Sequence, residues 1–151
     1  MHSKVRFLKT KSDVPLIEFF LLNGKKAVAL IDTGSESTLF DPWFVAANKE
    51  EFTIKETKNK INLVGIEKDS ETSLITLETK IYISGEDENV HAILPLSAVM
   101  MDLSHLREHF KKEYGTNMKI AAILGSDLLS DIKGKINFKE KTLMFEHDLS
   151  C

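Results

Sequence analysis

The sequence predicts a mainly β domain, a barrel or sandwich of many short strands carrying one clear amphipathic helix. Three observations carry this. Short β-type runs separated by turn residues recur from residue 14 to residue 147. Alternation is cleanest over residues 73–83, where Ile75, Leu77, Ile81 and Ile83 share one face and Thr76, Glu78 and Lys80 the other. The period then changes at Leu103, Leu106, Phe110 and Tyr114, whose spacing forms one stripe of a helix.

The elements follow in order. Residues 14–22 are apolar on both faces apart from Glu18, as in a buried strand. Asn23-Gly24 leads at once into a second apolar run at 25–31, and Asn-Gly between two such runs is a strong hairpin signal. A turn occupies 32–37, followed by the short apolar stretch Thr38-Leu39-Phe40. Asp41-Pro42 opens a short helix running to about residue 48, with Asp as N-cap and Pro in the first helical position. Strands at 52–57 and 60–66 flank a charged turn, and Ser84-Gly85-Glu86-Asp87 turns the chain into a strand at 90–96. Ser104 is placed to cap the amphipathic helix and Gly115 to end it. Residues 119–124 form an apolar strand ending at Gly125, and 126–132 one or two helical turns. Residues 135–138 and 142–147 make a closing hairpin around Lys139-Glu140-Lys141.

Composition limits the function classes. The 151 residues suit a single domain over 1–151. A chain that is 42% hydrophobic and 28% charged, with 7 Gly and 3 Pro, is neither disordered nor collagen-like. The single cysteine, Cys151, excludes an internal disulfide framework and a multi-cysteine zinc site. Twenty basic residues against 23 acidic ones give a net charge of −3, the opposite of a nucleic-acid footprint. The longest apolar run is about half a membrane span, so no membrane partner is expected. Met1-His2-Ser3-Lys4-Val5-Arg6 has no apolar core after its charges and does not read as a signal peptide, which leads us to expect a cytoplasmic chain.

The informative segment is Ala27-Val28-Ala29-Leu30-Ile31-Asp32-Thr33-Gly34-Ser35-Glu36-Ser37-Thr38-Leu39-Phe40. A carboxylate closes an apolar strand, with a glycine and hydroxyl residues around it. Asp32 can act as general base on water. Gly34 lets the backbone turn sharply, brings its N–H towards the carboxylate and leaves room for a second chain. Thr33 and Ser35 can donate hydrogen bonds that hold a carboxylate in one plane. The same residues also make an ordinary Asx-type turn, and local chemistry alone leaves both readings open.

Apolar-apolar-Asp32-Thr33-Gly34-Ser35 resembles the active-site signature of aspartic peptidases. A second element of that family, an apolar-apolar-Gly crossing beneath the catalytic loop, is matched by Ile123-Leu124-Gly125, with Gly125 lying 91 residues after Gly34. The closing hairpin fits the strands that complete one lobe, so the resemblance covers residues 14–145. Only one Asp-Thr-Gly is present, where two-lobed enzymes carry two. The chain is therefore similar to the single-lobe, retropepsin-like type. It resembles in particular the small bacterial members of that type, in which a helix like Asp102-Leu103-Ser104-His105 precedes the Ile-Leu-Gly.

The resemblance implies a closed retropepsin-like β-barrel with one or two short helices, and a homodimer forming one active site. A lone carboxylate lacks a proton-sharing partner, whereas two carboxyls a few Å apart cannot both ionise easily and titrate as a pair. In a twofold dimer both members are Asp32. The resemblance assigns Asp32, Thr33 and Gly34 to catalysis, Thr33 bonding across the dimer axis and the Gly34 carbonyl accepting substrate. Ser35, Ser37, Thr38, Ile123, Leu124 and Gly125 support them, with Ser35 donating to the outer oxygen of Asp32 and favouring an acidic working range. Val64, Gly65 and Ile66 stand where a flap would close over a peptide or protein substrate. No cofactor and no metal are implied.

The sequence departs from the viral pattern in three places. The flap candidate has one glycine. Ser126 and Glu36 stand where viral enzymes pair an Arg with an acid, so that salt bridge cannot form. The stretch from 97 to 117 is longer. A non-catalytic retropepsin-like dimer, serving as a peptide-binding or dimerisation module, is the alternative to a peptidase. His105-Leu106-Arg107-Glu108-His109 also matches a zinc-peptidase pattern, H-x-x-E-H, but the two histidines lie beside the helix's buried stripe and read as boundary or solvated residues. Trp43 reads as a packing residue of the short helix, with a cleft wall as its alternative. The Lys-rich stretches read as solvated strand edges.

Overall fold

A computed structural model describes residues 2–10, 14–57, 74–84, 91–114 and 119–146. Its first unit is the hairpin expected at Asn23-Gly24. Strand β2 (Leu16–Leu21) pairs antiparallel with β3 (Lys26–Ile31). Gly24 adopts φ +90, a left-handed conformation that glycine takes without the usual side-chain clash, and its N–H donates to Leu21 O at 2.9 Å.

Beyond the loop after β3 come β4 (Leu39–Phe40), α1 (Pro42–Ala47) and β5 (Thr53–Thr57). Then follow β6 (Leu74–Ser84), β7 (His91–Met100), α2 (Ser104–Tyr114) and β8 (Ile120–Leu124). Helix α3 (Ser126–Asp131) follows β8, and β9 (Lys135–Asn137) and β10 (Thr142–Glu146) form the closing hairpin. The order β2-β3-β8-β4-β7-β6 closes on itself because β6 also pairs with β2, giving a six-stranded barrel with β5 on its edge. The mainly β, closed architecture is therefore as expected. Three α-helices are described where one or two were expected: residues 126–131 form a full α-helical segment.

The barrel closes because its strands are apolar inwards. Leu77, Ile81 and Ile83 of β6 are fully buried, while Ile75, expected on the same face, is 37% exposed where β6 runs out beyond the core. Phe19, Phe40, Phe44 and Phe52 pack with ring centroids 5.3–6.2 Å apart, seating α1 on the barrel wall. Asp41 caps α1 through Trp43 N at 2.9 Å, as its position before Pro42 predicts. Its second oxygen accepts from Leu103 N and from the Arg107 guanidinium, both at 2.8 Å, so one buried carboxylate ties α1 to α2.

Several expectations need correction. A strand at the N-terminal end, β1 (His2–Arg6), was not foreseen; it pairs with β10 in a separate sheet of order β1-β10-β9. Ser104 is the first residue of α2 and does not supply the cap. Asp102 does, accepting from Ser104 N at 2.8 Å, and this bond together with that from the Ser104 side chain holds the Asp102 carboxyl below its ordinary range. Trp43 packs its ring against Phe44 of the same helix, centroids 6.3 Å apart, but is 49% exposed and also faces the Arg107 guanidinium at 5.9 Å and Lys119 Nζ at 5.5 Å. The strand expected at 60–66 and the helix end at Gly115 lie outside the described residues.

Candidate active site

Asp32 stands where β3 leaves the barrel. Its own N–H donates to Leu124 O at 3.0 Å, so the residue starts the loop pinned to β8. The chain then doubles back: Ser35 N donates to Asp32 O at 3.2 Å, and Gly34 N donates to Asp32 Oδ1 at 2.9 Å. A Cβ on Gly34 would sit 3.2 Å from that same oxygen, so a side chain there crowds the carboxylate. Asp32 is half-buried, and Thr33 and Gly34 are exposed at the loop tip.

Ser35 does not do what its position suggested. Its hydroxyl donates to Ser37 O at 2.7 Å and not to Asp32. The carbonyl two residues on is the nearer acceptor for a short side chain, and the Gly34 amide is the donor on Oδ1. Ser35 thus stiffens the loop from within. Ser37 contributes through its backbone carbonyl. Thr38 is fully buried at the loop's end, where its hydroxyl accepts from Gly125 N at 3.2 Å.

The second element lies beneath this loop. Within β8, Ile123 pairs with Leu30 and Leu124 with Ile31 in parallel, while Ile123 also opposes Leu39 of β4. The strand entering the loop and the strand leaving it therefore flank β8 on either side. Ile123 and Leu124 are buried. Gly125 follows, and a Cβ on it would lie 2.6 Å from Ser37 O and 2.7 Å from Ser35 O. Only glycine fits there. Ser126 N then donates to Ser35 O at 2.7 Å.

Asp127 is the residue that the sequence reading missed. Its two oxygens accept from Thr38 N at 3.0 Å and from Thr38 Oγ1 at 2.8 Å, across 89 residues of chain. Its visible signal was an acid in the first turn of a helix, which ordinarily speaks only of capping. The structure thus joins Asp32, Gly34, Ser35, Ser37, Thr38, Leu124 and Gly125 in one hydrogen-bonded and packed unit. Val64, Gly65 and Ile66, the flap candidate, lie outside the described residues.

Asp32 and Thr33 open onto a cleft of about 370 Å³ whose other walls are apolar, among them Pro15, Leu129, Ile136 and Phe138. Phe138 is 58% exposed, the largest exposure among the big apolar side chains described. His105 and His109 are exposed on α2, and the described residues contain no group of three His, Cys, Asp or Glu able to hold a metal ion. Among the described residues no helix is long and apolar enough to cross a membrane.

No family model matches the sequence, and no curated protein matches it. Solved structures do match the fold. One is a retropepsin-like aspartic protease from Rickettsia conorii, 12% identical, with a TM-score of 0.55 over 97% of this chain and 91% of that one. Another is the retroviral protease-like domain of Ddi1 from Leishmania major, 10% identical, with a TM-score of 0.51 over 95% of this chain and 99% of that one. The chain has a retropepsin-like fold.

Proposed function

We propose that this chain is an aspartic endopeptidase that acts as a homodimer, hydrolysing peptide bonds with a water activated by two Asp32 carboxylates, one from each protomer. The observation that carries this reading is the presentation of Asp32. A half-buried carboxylate is held by the Gly34 amide at 2.9 Å, on a loop locked from below by Gly125, beside residues left open to a second molecule. An ordinary Asx turn has no need of a distant glycine, Gly125, wedged against the carbonyls of Ser35 and Ser37.

The chemistry requires the pair. One Asp32, ionised, takes a proton from water as the water oxygen attacks the carbonyl carbon of the substrate. The other, protonated, donates to the carbonyl oxygen, so the charge that develops there is met by a proton already in place. Collapse of the tetrahedral intermediate breaks the C–N bond: the leaving nitrogen takes the proton that the first Asp32 drew from water, and the second Asp32 takes back the proton it gave to the carbonyl oxygen. Thr33 is assigned to the axis between protomers and the Gly34 carbonyl to substrate backbone. The exposed Phe138 and the apolar cleft next to Asp32 supply surface for the second copy.

The test is digestion of a diverse peptide mixture at acidic and near-neutral pH, read by mass spectrometry, with wild type beside Asp32→Asn. Cuts made by wild type alone are expected. Cuts made equally by Asp32→Asn reject the mechanism. No cuts at any pH, from protein shown to be dimeric, move the assignment to the non-catalytic binding module.

A further inference from the structure

We infer that Asp127 is a positioning residue for the Asp32 loop, holding the end of that loop through both donors of Thr38. The inference rests on the proposed peptidase reading for its catalytic consequence, though not for its geometry. Asp127 lies on α3, outside the signature. Each of its oxygens takes a donor from Thr38: Oδ2 accepts from the amide at 3.0 Å and Oδ1 from the hydroxyl at 2.8 Å. Oδ1 also accepts from Leu128 N at 2.7 Å, which fixes the carboxylate on its own helix. The Thr38 hydroxyl, oriented by that donation, turns its lone pair to Gly125 N at 3.2 Å.

A chain of polar contacts thus runs from α3 through Thr38 to Gly125, with Thr38 fully buried. Gly125 is the wedge under Ser35 and Ser37, and Ser126 N holds Ser35 O at 2.7 Å. Asp32 is fixed at the other end by Leu124 O. The loop is therefore pinned at its start by β8, at its middle by Ser126 and at its end by Asp127. Without Asp127 the end pin is lost and the Thr38 hydroxyl is free to turn away from Gly125. Two Asp32 carboxyls must meet across a dimer axis within hydrogen-bond reach, so a small displacement of each loop enters twice. Misplacement of a reacting group by about 1 Å lowers rates by roughly 100-fold.

Thr38 supplies the controls. Thr38→Val keeps the shape and the amide bond to Asp127 but removes the hydroxyl, which is both a donor to Asp127 and the acceptor for Gly125 N. Thr38→Ser keeps the hydroxyl. Wild type, Asp127→Ala, Thr38→Val and Thr38→Ser full-length chains are compared by amide hydrogen exchange at Gly125 and by kcat and KM on a peptide that wild type cleaves. Asp127→Ala and Thr38→Val should speed exchange at Gly125 by roughly tenfold or more, the size of one lost hydrogen bond. They should lower kcat by roughly tenfold to 100-fold with KM nearly unchanged, and Thr38→Ser should restore both. Wild-type kcat and protected Gly125 in Asp127→Ala overturn the inference. So does a loss of activity that merely tracks the fraction of unfolded protein, or one that Thr38→Ser shares. If wild type itself cleaves nothing, the peptidase reading fails separately, and exchange at Gly125 alone decides whether Asp127 holds the loop.

Discussion

Replacing Gly125 by alanine puts one methyl group where three backbone atoms already stand. The added Cβ would lie 2.6 Å from Ser37 O, 2.7 Å from Ser35 O and 2.7 Å from Ser37 C. Ordinary carbon–oxygen contact begins near 3.4 Å, so β8 and the Asp32 loop must separate by most of an ångström. None of the obstructing atoms is a side chain that can swing aside. Overpacking of this kind costs about 1–3 kcal/mol. The separation also stretches two bonds between these segments, Ser126 N to Ser35 O at 2.7 Å and Asp32 N to Leu124 O at 3.0 Å, each worth about 1 kcal/mol. The sum is about 3–5 kcal/mol. For a chain of this length 1 kcal/mol moves the midpoint by roughly 3 °C, so Tm should fall by roughly 9–15 °C. Thermal unfolding followed by circular dichroism measures this directly. Gly24→Ala is the control, since a Cβ there meets nothing within 4 Å and suffers only from φ +90; about 1–2 kcal/mol is expected. A Gly125→Ala protein that melts within roughly 3 °C of wild type would refute the wedge beneath the loop.

Three further outcomes are expected. Arg107→Ala leaves the Asp41 carboxylate, only 3% exposed, without its countercharge; a loss of about 3 kcal/mol, or roughly 9 °C in Tm, should follow, and a shift under roughly 3 °C would show that the pair carries little. Asp102 has its carboxyl held below the ordinary carboxylate range by its Ser104 hydrogen bonds, so it stabilises the fold above its unfolded pKa and that contribution is lost as pH falls through the folded one. Asp102→Ala should therefore unfold more easily than wild type at neutral pH, with the difference vanishing in acid; a difference that persists in acid would contradict the capping role. Phe138→Ser removes the exposed ring beside the Asp32 cleft and should weaken self-association in sedimentation equilibrium by roughly tenfold or more, as a central interface aromatic does; unchanged association would place the dimer surface elsewhere.

Local signals in the sequence were dependable. Asn23-Gly24 between two apolar runs, Asp41 before Pro42 and the alternation of residues 73–83 each state a backbone preference within a few positions, and each element is present. The Asp32–Ser35 and Ile123–Gly125 segments were legible as one unit only through the resemblance, since nothing local says that Gly125 lies under Ser35. What escaped depends on distant partners. Strand β1 has Val5 as its only apolar residue and gains its strand character from β10 near the other end of the chain. The Asp127–Thr38 and Arg107–Asp41 bonds span 89 and 66 residues. The resemblance assigns the Ser35 hydroxyl to Asp32, whereas the folded loop offers it the Ser37 carbonyl. At α2, Asp102 and Ser104 are both good caps, and only the position of the first helical residue decides between them.

The pairing of Asp32 residues is tested most directly by mixing chains. Wild type and Asp32→Asn are co-refolded in equal amounts, and cleavage is compared with that of wild type alone at the same total concentration. If one intact Asp32 from each protomer is needed, only wild-type pairs cut, and random assortment leaves about one quarter of the activity. Activity near one half would mean that each chain works by itself, and would contradict a site shared between two protomers.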